Sequence, residues 1–201
     1  MAAVRVNGCY VVKPAEETWT GCLSLSELDQ SGAIIHVSTI HFYPKPPQSW
    51  LTPTDLITTT LKQSLSRALV PFYPLAGRLR RVDGGHLDLD CNASGAQFIE
   101  AESESRLDHY LAVDYSLLID ERPVTIVQLI RLACSAISLC LCTSHAVVDG
   151  QSLSNFLSEW ARLSRGEALG TAPFHDRNFL GARGVPAAGN VAYRYGIHSF
   201  H

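Results

Sequence analysis

The stretch from Val124 to Cys142 is the most apolar in the chain, and what it becomes decides the class of fold. A membrane-spanning helix needs about 20 mostly apolar residues with few charges. Here Gln128 and Arg131 interrupt the run, and Ser135 and Ser138 follow. Two adjacent strands fit better, one from 124 to 132 and one from 136 to 144, joined at Ala133, Cys134 and Ser135. On the second, Ile137, Leu139, Leu141 and Thr143 share one face, and Ser138, Cys140, Cys142 and Ser144 share the other. Both faces are apolar or small, which suits a strand covered on both sides. The pattern predicts a globular chain built on a buried sheet, with no membrane span.

The rest of the chain supplies helices and further strands. Residues 33 to 43 are rich in β-branched and aromatic types and read as a strand, ended by Pro44, Pro46 and Pro47. Thr52 and Pro53 are an N-cap and first-turn pair. Ile57, Leu61, Leu65 and Leu69 then form an apolar stripe at four-residue spacing, and the helix should stop before Pro71. Residues 71 to 77 hold too much proline and glycine for a helix and predict a structured connector. Residues 78–82 and 86–90 flank Asp83-Gly84-Gly85 as a hairpin, and residues 96–101 read as a short strand. After Gly150 a helix is expected to about Arg165, with Leu153, Phe156, Leu157, Trp160 and Leu163 on one face and Gly166 at its C-cap.

Charge excludes one class of partner. Sixteen basic against nineteen acidic residues give a net charge of −3, and no basic patch is dense enough for nucleic acid. Six cysteines stand at 9, 22, 91, 134, 140 and 142 with no Cys-x-x-Cys pair and no ligand spacing to a histidine. They read as reduced, buried thiols. Met1 to Pro14 has no apolar run of signal type, so a cytoplasmic location is expected.

The segment Thr143-Ser144-His145-Ala146-Val147-Val148-Asp149-Gly150 carries the chemistry. It follows the buried strand and precedes the amphipathic helix, where a rigid sheet can present a side chain to a cleft. A histidine there titrates near neutral pH and can serve as a general base. Asp149 could orient the imidazole or brace the turn, and Gly150 would permit a tight path into the helix. The pattern alone is weak, because a histidine beside a core strand is more often structural. Other chemistries find no motif. Gly-x-Ser-x-Gly, His-Glu-x-x-His, Gly-x-x-x-x-Gly-Lys and Gly-x-Gly-x-x-Gly are all absent. A zinc site on His145 and Asp149 would lack a third ligand, so no metal is expected.

Several ordered segments resemble the BAHD family of plant acyltransferases. Val11-Val12-Lys13-Pro14, with Leu23 to Asp29, is similar to the family's opening. Leu65 to Leu79 is a long match, His145 to Gly150 matches the catalytic motif, and Pro173 with Asp176-Arg177 matches the segment after the next helix. The wording is closest to hydroxycinnamoyltransferases, especially the spermidine-type N-acyltransferases. The resemblance implies an α/β fold, a mixed sheet with helices, like chloramphenicol acetyltransferase. It implies that His145 is the catalytic base. That base would take a proton from an amine (a polyamine such as spermidine) or hydroxyl acceptor attacking a hydroxycinnamoyl-type acyl-CoA. Acyl-CoA is then a cosubstrate, no cofactor is held, and the CoA-binding residues are not identified. Asp149 and Gly150 would be structural members of the motif, since the family's aspartate points away from substrate toward an arginine.

The same resemblance sets the domain expectation. Residues 1–181 correspond to the N-terminal domain, residues 182–201 form a divergent, irregular tail, and the C-terminal domain with its Asp-Phe-Gly-Trp-Gly motif is absent. Relatives also carry a longer segment between Leu107 and Val124, and glycines where this chain has Ser135 and Ala136. A second reading follows, a truncated and catalytically inactive fragment of the family.

Overall fold

A computed structural model describes residues 4–26, 29–30, 35–51, 55–104 and 122–175. The expected helix opening at Thr52-Pro53, the segment from Leu107 to Glu121 and the tail from Ala182 lie outside them.

The apolar run does form two strands, β7 (Thr125–Leu132) and β8 (Ile137–Ser144), paired antiparallel through the turn at 133–135. They are interior strands of a five-stranded sheet, β7 at its centre. Its other members are β1 (Val4–Val12), β3 (His36–Tyr43) and β6 (Ala96–Ser103). The order is β1-β6-β7-β8-β3, and only the β6–β7 pair is parallel. A smaller antiparallel sheet holds β2 (Gly21–Ser24), β5 (Leu87–Cys91) and β4 (Arg78–Arg81) in that order. The β4–β5 hairpin turns through Asp83–Gly85, as the sequence predicted.

Short α1 (Gln48–Leu51) precedes α2 (Asp55–Ala68), and α3 (Gly150–Ser164) follows the chemical motif. The stripe on α2 buries Ile57 and Leu65, with Leu69 just past its end. On α3, Leu153, Phe156, Trp160 and Leu163 are buried. These residues join Phe98, Val127, Leu129, Ile137 and Leu141 from one face of the large sheet in a single core. Ala101, Ile130, Leu132 and Ala136 form a separate cluster on the sheet's other face. The two helices are also tied by polar contacts. Trp160 Nε1 donates to Ser64 Oγ at 2.9 Å, and Ser164 Oγ meets Ser64 Oγ at 2.8 Å. Gly166 ends α3 with φ +78, a left-handed cap that glycine adopts without strain.

The connector at 71–77 contains a 3₁₀ turn, Tyr73–Ala76, whose Pro74, Leu75 and Ala76 are buried in the core. Phe72 meets Phe156 edge-on at 5.2 Å, so the connector packs against α3. One expectation is corrected. Cys91, Cys140 and Cys142 are buried, but Cys9, Cys22 and Cys134 are exposed. The exposed thiols sit on two edge strands and in the 133–135 turn, outside the packed layers.

Candidate active site

His145 is the first residue past β8, and its backbone is fixed on two sides. Its N–H donates to Ile35 O at 3.0 Å, just before β3 begins. One residue earlier, Ser144 N–H donates to Val124 O at 2.9 Å. The chain then turns sharply, with Val147 and Val148 N–H both donating to Ser144 O at 3.0 and 3.2 Å. Ala146 and Val147 are buried and anchor that turn to the core, while the His145 side chain is exposed. The alternation inherited from the strand thus ends with the imidazole outside the packed layer. Among the described residues its ring makes no hydrogen bond.

Asp149 is the N-cap of α3. Its Oδ1 accepts from Ser152 N at 2.7 Å, and its carbonyl accepts the first helical bond from Leu153 N at 2.9 Å. The Ser152 backbone and hydroxyl bonds hold its carboxyl below the ordinary carboxylate value, with a smaller push from the charge of His145. The aspartate therefore stabilises the helix start and is not hydrogen-bonded to the imidazole. Gly150 is the first helical residue. A Cβ there would meet nothing within 4 Å, and its φ is not in the left-handed region. The tight path expected of this glycine finds no steric basis among the described residues.

His145 opens on a cavity of about 800 Å³. Its wall comes from the motif turn, α3, the 72–75 connector, residues 171–175, and Leu23 and Asp29 in and just after β2. Asp29 and Asp149 line it, and no lysine or arginine does among the described residues. Asn155, Ser152 and Ser158 add neutral polar groups from one face of α3. Thr143 and Ser144, the hydroxyls just before His145, are buried, do not line the cavity and have unpaired Oγ atoms. They are placed as sheet residues and not as nucleophiles.

Sequence reasoning did not single out His36, whose place beside the motif only strand pairing shows. It lies opposite Ser144 in the β3–β8 register, and its Nε2 is 3.0 Å from Pro123 O. A carbonyl only accepts, so that nitrogen carries the proton. Burial is the main cause lowering its pKa, which keeps the ring neutral at pH 7. Asp29 and His175 were also missed as cavity residues, because each is far from the motif in sequence. Among the described residues no cluster of three or more histidine, cysteine or acidic side chains is arranged to hold a metal. No described helix is long and apolar enough to cross a membrane.

Residues 2–195 match the sequence model of the Transferase family. The hydroxycinnamoyl-CoA:piscidic acid hydroxycinnamoyltransferase of Actaea racemosa is 41% identical over 199 residues, covering 92% of this chain and 43% of that one. The shikimate O-hydroxycinnamoyltransferase of Nicotiana tabacum is 35% identical over 196 residues, covering 91% and 44%. The crystal structure of vinorine synthase superposes with a TM-score of 0.74 at 28% identity, over 90% of this chain and 47% of that one. The chain spans about half the length of the curated relatives it matches.

Proposed function

Because the chain belongs to the Transferase family, the BAHD-type acyltransferases, we propose that it carries the catalytic base of a CoA-dependent acyl transfer. The observation that carries this reading is the exposed His145 side chain, set by a fixed backbone at the edge of the 800 Å³ cavity. The acceptor's N–H or O–H gives its proton to His145 as the acceptor atom attacks the thioester carbonyl. A C–N or C–O bond forms, the tetrahedral oxyanion collapses, the C–S bond breaks, and the proton returns to the departing CoA sulfur. A placed base of this kind is typically worth about 10²–10⁴-fold in rate. The acyl group is of hydroxycinnamoyl type, in keeping with the donors named for the relatives. Asp149 and Gly150 act in this scheme as the start of α3, which fixes the far side of the motif turn.

The cavity charge favours an amine acceptor such as a polyamine. Asp29 and Asp149 place two carboxylates on the wall, and among the described residues no lysine or arginine lines it. Such a surface attracts an ammonium group and repels the phosphates of CoA. Deprotonation then acts on the minor neutral form of the amine. The relatives named above take piscidic acid and shikimate, which are acids, so the acceptor is where this chain should differ from them. Incubation with hydroxycinnamoyl-CoA and equal amounts of spermidine and shikimate decides the point. Amide product supports the amine reading, and exclusive ester product overturns it.

A further inference from the structure

We infer that Glu159 is a positioning residue whose carboxylate holds residues 170–175 in place as one wall of the acceptor cavity. This rests on the proposal that the cavity beside His145 receives the acceptor. Glu159 lies on the last turns of α3 and is only 4% exposed. A carboxylate is costly to bury unless hydrogen bonds compensate. Here both oxygens are used, and by backbone eleven and twelve residues onward. Gly170 N–H donates to Oε2 at 2.6 Å, and Thr171 N–H donates to Oε1 at 3.0 Å. Arg162, one turn along the same helix, sits 3.9 Å from the carboxylate, and its Nε donates to Ala168 O at 3.2 Å.

The segment so held has no helix or strand of its own. Little apolar burial secures it either, since Thr171, Ala172 and Phe174 are exposed, Phe174 by 77%. Its far end is pinned separately. His175 Nε2 donates to Pro71 O at 2.8 Å, and the ring packs edge-on against Tyr73 at 4.7 Å. Between the two pins, residues 172–174 face the same cavity as His145. Without the Glu159 bonds, this stretch has too few contacts to keep one conformation. Gly170 fits the same account. A Cβ there would stand 3.1 Å from both Glu159 Oε1 and Arg162 Nε, so the clamp would have to give by a few tenths of an ångström to admit one.

Two variants of the full chain test this, Glu159→Gln and Gly170→Ala. The first keeps the shape but puts an amide N–H₂ against one backbone donor, and the second wedges the clamp from the loop side. Amide exchange at residues 170–175 is expected to speed up about tenfold in each, the size of losing one charge-assisted hydrogen bond. Exchange at Leu129 and Leu141 should not change. In acyl transfer, KM for the acceptor is expected to rise by about the same factor while kcat stays within about twofold. Unchanged exchange at 170–175 overturns the clamp. A fall in kcat together with faster exchange at β7 and β8 also overturns it, as that would mark general damage. A wild-type chain that makes no product would defeat the acyl-transfer reading, while the exchange result would still decide the clamp.

Discussion

Replacing Asp149 separates what its side chain does as a helix cap from what its charge does. The carboxylate accepts one backbone bond at 2.7 Å at the start of α3. Loss of such a cap costs about 1 kcal/mol. The charge at the positive end of the helix adds about 0.5 kcal/mol. Asp149→Ala loses both and should be less stable by about 1.5 kcal/mol, whereas Asp149→Asn keeps a capping oxygen and should lose only about 0.5 kcal/mol. At roughly 2–4 °C per kcal/mol for a chain of this size, melting should fall by about 3–6 °C and 1–2 °C respectively. The pH dependence has a definite sign. The folded state lowers the carboxyl's pKa. Its contribution is therefore fully present above the ordinary carboxylate range near pH 4 and is lost as pH falls through the depressed value. The gap between wild type and Asp149→Asn should therefore narrow as the pH falls from about 5 to below the ordinary carboxylate range. Chemical denaturation of the three proteins across that range is the assay. An Asp149→Ala variant as stable as wild type, or a gap that widens in acid, would refute the capping account.

Other expectations follow from single positions. In native protein at pH 8, iodoacetamide should modify only the exposed Cys9, Cys22 and Cys134, because burial pushes the Cys140 thiol up to about 11 and raises Cys142 as well; mass spectrometry reads the count. Gly150→Ala should leave stability unchanged or raise it by about 0.5 kcal/mol in a melt, since the added methyl meets nothing; a clear loss would show a constraint the chain geometry lacks. Ser135 has φ +64 in the β7–β8 turn, so Ser135→Gly should relieve about 1–2 kcal/mol of strain, less about 0.4–1 kcal/mol of added unfolded-state entropy. A small net gain in urea midpoint is the expected result, and a loss would mean that the serine is held by something other than its backbone.

What the sequence made legible is the part governed by period and punctuation. The β7–β8 pair, α3 with its glycine cap, the end of α2 before Pro71 and the β4–β5 hairpin all announce themselves locally. The resemblance to chloramphenicol acetyltransferase-like enzymes also gave the right class, as the vinorine synthase superposition shows. Strand β1 was not visible, because Asn7-Gly8 breaks its pattern. The structure has a register irregularity between Val6 and Gly8 there, and most of the strand is exposed. Strand β2 is only four residues long and carries no run to notice. Around the site, local pattern placed His145 and Asp149 on their turn. It could not bring Asp29, His36 or His175 near them, because each arrives through long-range pairing or packing. The cap made by Asp149 was also hidden, since a preference for aspartate at that position says nothing about which way the carboxylate turns.

In the proposed scheme His145 removes the acceptor's proton, and turnover with and without its side chain measures that role. Product from hydroxycinnamoyl-CoA is followed by mass spectrometry for wild type and His145→Ala, with circular dichroism to check the fold. The imidazole is exposed and unbonded among the described residues, so its removal should leave the fold intact. Wild type should form acylated acceptor, and His145→Ala should lose at least about 100-fold in kcat. Near wild-type turnover by a folded His145→Ala variant would contradict it.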